Sequence, residues 1–292
     1  MSKTRRFKEL IHNEGILIMP GAYDGMSSRL VEETGFQAML ATGAGISNSQ
    51  LGWADVGLTT MTEVAQAVAR MADVTTLPIL ADADTGYGNA INVIRMVKEF
   101  ERAGAAGIQL EDQIAPKKCG HFAGKGVISK QEMVYKIKAI IDTRQDPNLV
   151  IVARTDSRAV NGLDDALDRA YAYAEAGADV TFVEAPQSIE ELERVTRELK
   201  GIPQMANMVE GGLTPILSAQ ELQDIGFKIM ICANTALRGA MKGVRASLEA
   251  LYKDRSQKDL GHLICTWEER QQLVKLHEIK RLEEKYLHWS EE

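Results

Sequence analysis

The segment ADADTGYGN, from Ala81 to Asn89, carries two carboxylates that are two residues apart. Alternate side chains of an extended backbone share one face, so Asp82 and Asp84 can point the same way, with Glu111 beside them from a later apolar run. Crowded carboxylates repel one another, and their pKa values rise unless a cation neutralises them. Oxygen ligands without His or Cys favour Mg²⁺, with Mn²⁺ or Fe²⁺ as the other candidates. The competing interpretation is a set of salt-bridged or helix-capping acids.

The segment KKCGH places a thiol, Cys119, directly after a pair of lysines and two residues before His121. Neighbouring positive charge lowers the pKa of a thiol and favours the thiolate. Gly120 supplies the flexibility that a loop needs to close over a ligand and exclude water. We predict that Cys119 and His121 are catalytic. Lys117 and Gly120 are predicted to bind substrate, and the competing interpretation is an exposed loop with an incidental cysteine.

Groups that suit a substrate carboxylate follow two further apolar runs. Arg154 ends the run LVIVAR, and its planar guanidinium matches the geometry of a carboxylate. The competing interpretation is a structural ion pair with Glu184 or Asp156, and both arrangements can hold at once. Gly212 and Thr214 offer a backbone N–H and a hydroxyl for another carboxylate.

Eight short apolar runs recur along the chain, a pattern typical of strands that are buried on both faces of a parallel sheet. Segments with helical periodicity lie between most runs, and several end at a glycine shortly before the next run. Eight such units, with no GxGxxG opening the first, favour an α/β fold of the (β/α)₈ TIM-barrel type. The alternative is an open, doubly wound sheet, which shares the local pattern. The predicted strands are Ile16–Pro20, Gln37–Ala41, Pro78–Asp82, Gly107–Glu111, Leu149–Arg154, Val180–Glu184, Ile202–Asn207 and Lys228–Cys232.

In a barrel of this type, the chemistry lies at the C-terminal ends of the strands. Polar and ionisable residues follow most of the predicted strands, which chance placement of surface charge would not produce. In chain order, these candidates are Tyr23, Thr42, Gly43, Asp82, Asp84, Glu111, Arg154, Glu184 and Asn207.

The barrel is predicted to span residues 1–245, and residues 246–292 are predicted to form an appended C-terminal helical arm. The arm carries apolar residues that a solvated tail would not need, namely Trp267, Leu273, Leu276, Tyr286 and Trp289. Two interpretations stay open, since the arm can pack on a neighbouring subunit or back on its own barrel.

The bulk composition excludes several classes of protein. Lys and Arg total 34 against 41 Asp and Glu, and the net charge of −7 argues against nucleic-acid binding through bulk phosphate attraction. Three cysteines are too few for a disulfide scaffold. No apolar run approaches the roughly 20 residues that span a bilayer, and no apolar stretch of a signal peptide follows the charged N-terminus. We therefore expect a cytoplasmic protein with no nucleic-acid or membrane partner.

Taken together, the motifs resemble those of the isocitrate lyase / phosphoenolpyruvate mutase superfamily. The matching segments run through nearly the whole chain and include PGAYD, TGAGIS, ADADTGYGN, LEDQ, KKCGH, ARTD, VEAP and VEGG. The resemblance implies a modified (β/α)₈ barrel in tetramers or dimers of dimers that exchange C-terminal helices, and so a homotetramer. It also implies a small-molecule carboxylate substrate, which Thr42, Gly43 and Ala44 help to bind.

The resemblance further implies roles for particular residues. It implies a bound Mg²⁺ with Asp84 as the direct ligand. The supporting carboxylates, which act through water, are Asp55, Asp82 and Glu111. Within the superfamily, KKCGH marks the lyase branch, so Cys119 is implied to be the acid–base residue of carbon–carbon cleavage, while Arg154 and Asn207 hold and polarise substrate oxygens. The group that deprotonates the substrate hydroxyl is left open between a metal-linked carboxylate and Tyr23.

The VEGG form of the segment Val209–Gly212 resembles 2,3-dimethylmalate lyases, oxaloacetate hydrolases and carboxyphosphonoenolpyruvate mutases. Ala233 stands where oxaloacetate hydrolases tend to carry a serine, which counts against that activity. The resemblance favours a Mg²⁺-dependent lyase that cleaves a 2-hydroxy-2-methyl di- or tricarboxylate to pyruvate and a second carboxylate. The favoured substrate is 2,3-dimethylmalate, giving pyruvate and propionate, followed by 2-methylisocitrate, giving pyruvate and succinate. The alternatives are a phosphonate mutase of the carboxyphosphonoenolpyruvate type and an oxaloacetate hydrolase.

Overall fold

The computed structural model describes residues 1–118 and 124–287 of the chain. They form two compact units, one of Met1–Ala236 and a second that begins at Leu237. All eight strands lie in the first unit. The boundary predicted at residue 245 lies inside a long helix, Thr235–Asp254, which also contains the division between the units.

The predicted strands are all present, with bounds that differ from the prediction by a few residues at most. They are β1 (Leu17–Ala22), β2 (Met39–Ala41), β3 (Ile79–Asp82), β4 (Gly107–Glu111), β5 (Val150–Thr155), β6 (Val180–Val183), β7 (Met205–Asn207) and β8 (Ile229–Cys232). Neighbouring strands pair in parallel in the order β6-β5-β4-β3-β2-β1-β8-β7. Sequential strands are thus neighbours, as right-handed β-then-α connections require.

The two end strands of this order, β6 and β7, meet and close the sheet. A parallel bridge joins Thr181 to Gln204, directly before β7. The Thr181 N–H donates to the Pro203 carbonyl over 3.0 Å, and the Gln204 amide N–H donates to the Thr181 hydroxyl over 2.7 Å. Closure satisfies backbone groups that an open edge would expose. The (β/α)₈ barrel is therefore confirmed, and the open-sheet alternative is wrong.

Helices follow the strands with the capping chemistry that the sequence indicated. Thr60 caps the helix Met61–Val74 reciprocally with Glu63, and Gly104 follows the helix Ala90–Arg102 with a φ of +86°, where a side chain would be strained. The helices are α1 (Lys3–His12), α2 (Gly25–Glu33), α3 (Gly43–Ile46), α4 (Met61–Val74), α5 (Ala90–Arg102), α6 (Lys130–Thr143), α7 (Leu163–Glu175), α8 (Ile189–Glu198), α9 (Ala219–Ile225), α10 (Thr235–Asp254), α11 (Trp267–Leu273) and α12 (Leu276–Tyr286).

The barrel interior is apolar at the N-terminal ends of the strands. Leu17, Val150 and Val180, which begin β1, β5 and β6, share one buried cluster with Phe7 of α1. A Cβ at Gly107 would lie 2.9 Å from the Phe7 ring, so this glycine makes room for the ring. Helix α1 therefore helps to fill this end of the barrel, and the polar residues lie at the opposite, C-terminal end.

The second unit is helical, as predicted for the arm, and holds most of α10 together with α11 and α12. Trp267 and Tyr286 are 65% and 60% exposed, and the Arg270 guanidinium lies 4.1 Å from the centre of the Trp267 ring. Trp289 lies outside the described residues. The surface that the arm covers stays a prediction. In the part of the chain that is described, no helix has the length and apolar character to cross a membrane.

Candidate active site

Asp82, the last residue of β3, connects two strand ends through its carboxylate. Its Oδ2 accepts a hydrogen bond from the Gly43 N–H over 3.2 Å, and its Oδ1 accepts one from the Asp84 N–H over 3.2 Å. A Cβ at Gly43 would lie only 2.8 Å from Asp82 Oδ2. A side chain at this position would displace the Asp82 carboxylate, so glycine lets the backbone after β2 approach it this closely.

Lys117 lies between two carboxylates. Its Nζ is 2.6 Å from Asp55 Oδ1 and 2.9 Å from Asp84 Oδ1, and the lysine side chain is only 5% exposed. Removing the lysine would leave two neighbouring carboxylates without their shared cation. Lys117, which was predicted to bind substrate, thus contacts two of the predicted metal-site carboxylates.

Asp84 has an unusual backbone as well as a crowded side chain. Its φ of +47° lies in the left-handed region, which is uncommon for a residue other than glycine and tends to occur at functional sites. Burial raises the pKa of Asp84 to about 6; Lys117 opposes that shift, and the charges of Asp82 and Asp55 add to it. The sequence-based expectation of a raised pKa in this acidic cluster therefore holds for Asp84.

Glu111, the last residue of β4, is 2% exposed and faces Arg154 of the neighbouring strand. Its Oε2 lies 3.3 Å from Arg154 Nη1, whereas its buried Oε1 has no hydrogen-bond partner among the described residues. Burial raises the pKa of Glu111 well above its ordinary value, and the charge of Arg154 opposes the shift. A buried carboxylate oxygen in this condition fits a cation or a hydrogen-bond donor that a ligand supplies.

Arg154 makes the structural ion pairs that were weighed as the competing interpretation. Its Nε and Nη2 donate to the two carboxylate oxygens of Asp156 over 2.9 and 3.0 Å, and Nε lies 3.4 Å from Glu184 Oε2. Arginine has five N–H groups, and the pair with Asp156 uses the one on Nε and one on Nη2, so three on the Nη atoms remain for Glu111 and a ligand. Structural pairing and ligand binding are therefore compatible at Arg154.

Buried polar groups that do not line the cavity support the ends of β4 and β5. Asp112 is fully buried directly after β4. It accepts hydrogen bonds from Thr155 Oγ1 (2.7 Å), Tyr173 Oη (2.8 Å), the Asp156 N–H (2.9 Å) and Arg169 Nη1 (3.2 Å). Asp156 in turn binds Lys125 Nζ over 2.7 Å. Such a connected network restricts the orientation of Asp156 and, through it, of Arg154.

One cavity is lined from or just after seven of the eight strands. Its lining residues are Leu40, Thr42, Ala44, Asp55, Asp82, Gln109, Lys117, Lys118, Arg154, Glu184, Asn207, Val209, Ile231, Ala233 and Asn234. The cavity thus brings together eight predicted site residues: Thr42, Ala44, Asp55, Asp82, Lys117, Arg154, Glu184 and Asn207. Three more, Gly43, Asp84 and Glu111, contact those residues directly.

The other predicted residues are not among those that line the cavity. Tyr23, Gly212 and Thr214 belong to neighbouring segments but are absent from its lining. Cys119, Gly120 and His121 lie outside the described residues, so their roles stay predictions. Gln113 binds the backbone directly before them, since its amide donates to the Lys118 carbonyl over 2.8 Å and accepts from the Lys118 N–H over 2.9 Å.

Sequence reasoning missed several lining residues, including the polar Gln109 and Asn234. Gln109 lies two residues before Glu111 on the same strand, so strand alternation was a signal that could have found it. Asn234 follows β8, the one strand end to which no candidate was assigned. Leu40 and Ile231 were missed because an apolar strand residue reads as core, and they belong to the barrel core as well.

Lys117 lies among the acids that were predicted to hold a metal. Over residues 1–118 and 124–287, no three His, Cys, Asp or Glu side chains gather into a group that could hold an ion. The cation between Asp55 and Asp84 is instead Lys117. Because Mg²⁺ commonly uses one or two carboxylates and keeps several waters, the residues present fit an ion held by Asp84 with indirect support. The unpartnered Glu111 Oε1 is consistent with that fit.

The fold and the cavity define a (β/α)₈-barrel enzyme whose site combines buried carboxylates with cations that suit an anionic ligand. The family model for phosphoenolpyruvate phosphomutase matches residues 7–252. The chain belongs to the PEP mutase/isocitrate lyase superfamily.

Relatives with different activities are similar over nearly the whole chain. A 2,3-dimethylmalate lyase of Eubacterium barkeri is 43% identical over 98% of this chain and 99% of its own length. A 2-methylisocitrate lyase of Aeropyrum pernix is 42% identical over 94% of this chain and 88% of the relative. A chloroplastic carboxyvinyl-carboxyphosphonate phosphorylmutase of Arabidopsis thaliana is 44% identical over 96% of this chain and 84% of the relative.

Solved structures that resemble this chain cover a similar range of activities. A crystal structure of 2,3-dimethylmalate lyase superposes with a TM-score of 0.92 at 34% identity, covering 98% of this chain and 95% of that one. Oxaloacetate acetylhydrolase with 3,3-difluorooxalacetate gives 0.93 at 31% identity, covering 99% and 98%. Phosphonopyruvate hydrolase in complex with oxalate and Mg²⁺ gives 0.89 at 25% identity, covering 99% and 100%. Overall similarity therefore leaves several reactions open, and the residues of the cavity must discriminate among them.

Proposed function

We propose that the chain is a Mg²⁺-dependent carbon–carbon lyase that cleaves a 2-hydroxy-2-methyl di- or tricarboxylate to pyruvate and a second carboxylate. The observation that carries the proposal is a single cavity in which Arg154, Asn207 and Lys117 meet a set of buried acids. Cationic and amide groups bind the oxygens of a carboxylate ligand, and the acids accommodate a divalent cation.

The charge balance of the site supports a bound cation. Six carboxylates line the cavity or pair with its cations, namely Asp55, Asp82, Asp84, Glu111, Asp156 and Glu184. The described cations in the same set are four, Lys117, Lys118, Lys125 and Arg154. The acids outnumber the cations, and a bound divalent cation would favour the ionised forms of Asp84 and Glu111, whose pKa values burial raises. Asp84 is proposed to hold Mg²⁺, or else Mn²⁺ or Fe²⁺, with Asp55, Asp82 and Glu111 acting through water.

The chain's own residues then bind and orient the substrate. The N–H groups of Arg154 that Asp156 leaves free are proposed to bind a substrate carboxylate, and Asn207 to bind a neighbouring oxygen. When bound, the metal supplies Lewis-acid polarisation of the substrate oxygens. Cleavage of the bond between C2 and C3 turns the 2-hydroxyl into a ketone and leaves an electron pair on the departing carbon. Cys119 is proposed to donate the proton that this carbon needs, beside His121.

A metal-linked carboxylate is a better candidate than Tyr23 for the group that removes the hydroxyl proton. Tyr23 is not among the residues that line the cavity. Burial raises the pKa of Tyr23, and the charge of Asp24 raises it further, so a tyrosinate forms less readily there. Both observations reduce the suitability of Tyr23 as a base at neutral pH.

The favoured substrate is 2,3-dimethylmalate, followed by 2-methylisocitrate. The lining includes the aliphatic side chains of Leu40, Val209 and Ile231, which suit the methyl groups of the smaller acid. Phosphonate mutase activity is the second candidate, supported by the 44% identity to the Arabidopsis phosphorylmutase. Oxaloacetate hydrolysis is supported by the solved hydrolase structure, whereas Ala233 at the cavity wall offers no hydroxyl to the substrate. We also propose that the protein forms a homotetramer and is cytoplasmic.

A substrate panel read by pyruvate release tests the proposal. Purified full-length protein with Mg²⁺ is given 2,3-dimethylmalate, 2-methylisocitrate and oxaloacetate, and a candidate phosphonate is followed by phosphorus NMR. We expect pyruvate from the first and slower release from the second. Absence of pyruvate from both contradicts the lyase, and oxalate from oxaloacetate or a new phosphorus resonance identifies the competing reaction.

A further inference from the structure

Gln109 is a buried amide whose role no part of the proposed function has used. It lies in the middle of β4, is 2% exposed and lines the cavity. Strand alternation places it on the same face as Glu111. Its Oε1 is buried and has no hydrogen-bond partner among the described residues. A buried acceptor without a donor costs free energy in the unliganded protein, and a ligand that supplies the donor removes this cost.

The surroundings of Gln109 select the kind of donor. Leu40 and Ile231, which line the same cavity, belong to the apolar barrel core, whereas charged groups of the lining pair with one another, as Lys117 does with Asp55 and Arg154 with Glu184. Gln109 also pairs in register with Asp82 of β3, whose carboxylate disfavours an anion nearby. A neutral donor, such as a hydroxyl, satisfies the amide oxygen at a lower desolvation cost than a charged group.

We propose that Gln109 is a specificity-determining residue that accepts a hydrogen bond from the hydroxyl group of a 2-hydroxy acid. The proposal rests on the proposed function, since it names the substrate group that one side of that same cavity recognises. A site that hydrogen-bonds a hydroxyl rejects an analogue without it, because the buried acceptor is then left unsatisfied. Gln109 thereby favours a 2-hydroxydicarboxylate over its deoxy counterpart.

The test compares Gln109→Met with a matched variant, Gln204→Met. Gln204 is also a buried barrel glutamine, but Thr181 satisfies its amide and it does not line the cavity. Calorimetry with Mg²⁺ measures the dissociation constants of malate and succinate, which differ by one hydroxyl. We expect the ratio of succinate to malate constants to fall about tenfold in Gln109→Met and to stay unchanged in Gln204→Met.

Thermal unfolding without ligand gives a second test, in which the two variants are expected to shift Tm in opposite directions. Gln109→Met replaces an unsatisfied group by an apolar side chain of similar shape, so we expect Tm to rise by about 2–4 °C. Gln204→Met breaks satisfied hydrogen bonds, so its Tm falls. Gln109→Leu serves if the methionine variant does not fold.

An unchanged ratio in Gln109→Met, no binding of either dicarboxylate to the wild type, or failure of both Gln109 variants to fold overturns the proposal. Binding is measured without turnover, so these outcomes are distinct from a negative pyruvate panel.

Discussion

Arg154 and Asp156 form a bidentate ion pair at the end of β5, with Nε donating to Oδ2 over 2.9 Å and Nη2 to Oδ1 over 3.0 Å. Burial disfavours the Asp156 carboxylate, but the charges of Arg154 and Lys125 outweigh it and hold the pKa of Asp156 below its ordinary value. The geometry makes Asp156 a positioning residue for the guanidinium that faces the cavity.

Asp156→Asn removes one charge from this buried pair while keeping the shape of the side chain. Breaking a buried ion pair costs about 3–5 kcal/mol, and a misplaced guanidinium lowers kcat/KM about a hundredfold. Thermal unfolding and steady-state kinetics measure the two effects. The control is Asp168→Asn, which breaks an exposed pair with Lys130 and changes stability by about 0.5 kcal/mol or less. Equal effects of the two variants would contradict the positioning role.

Chelation tests the metal. Treatment with EDTA is expected to abolish pyruvate release, and Mg²⁺ or Mn²⁺ to restore it, because the proposed reaction needs a metal to polarise the substrate oxygens. Asp84→Asn is expected to raise the Mg²⁺ concentration for half-maximal activity at least about tenfold, since it removes the proposed direct ligand. Titration of activity with Mg²⁺ measures this, with Asp168→Asn as the unaffected control. Full activity in EDTA would argue against any metal.

Cys119→Ser is expected to reduce kcat by about 10²–10⁴-fold, because a hydroxyl is a much weaker acid than a thiol in general acid catalysis. The fold and Mg²⁺ binding are expected to be unchanged in thermal unfolding and calorimetry. Cys265→Ser is the matched control, since Cys265 is a free, exposed thiol with no predicted role. A wild-type kcat in Cys119→Ser removes Cys119 from the mechanism.

Gly43→Ala tests the approach of the backbone to Asp82. The added methyl would lie 2.8 Å from Asp82 Oδ2, so the carboxylate must move and the Gly43 N–H bond is lost. We expect a cost of about 1–3 kcal/mol and a lower kcat/KM. In the control, Gly25→Ala, the new Cβ meets only Val74, at 3.5 Å, so little change is expected. If both variants behave as wild type, the close approach has no functional importance.

Asp146, which lies outside the site, makes the stability of the fold depend on pH. Its Oδ2 accepts a hydrogen bond from Thr4 Oγ1 over 2.6 Å, and this bond, despite an opposing effect of burial, lowers the pKa of Asp146. A lowered pKa stabilises the fold above the unfolded pKa of about 3.9, and the gain is lost as pH falls through the folded value. Asp146→Asn is therefore expected to lower Tm at pH 7, with the difference shrinking below about pH 4. Thr4→Val, which removes the same bond from the other side, should reproduce the pattern, and a constant difference across pH would refute it.

The sequence by itself determined the barrel and most of the residues around its cavity. Eight buried apolar runs, most of them followed by polar residues, favour a parallel sheet with its chemistry at one end, because backbone groups must pair and side chains alternate along strands; the bridge between Thr181 and Gln204 then showed that the sheet closes. Asp82, Arg154, Glu184 and Asn207 could be assigned to the site for this reason, before any contact was known.

Only the tertiary structure decided which of those groups contact one another. Lys117 and Asp55 are separated by 62 positions in the chain, yet their charged atoms lie 2.6 Å apart. The approach of Gly43 to Asp82 and the unpartnered oxygen of Gln109 likewise depend on the register and twist of neighbouring strands. Periodicity in a sequence specifies the face on which a side chain lies, whereas its partner depends on the three-dimensional distance between strand ends, which no local pattern encodes.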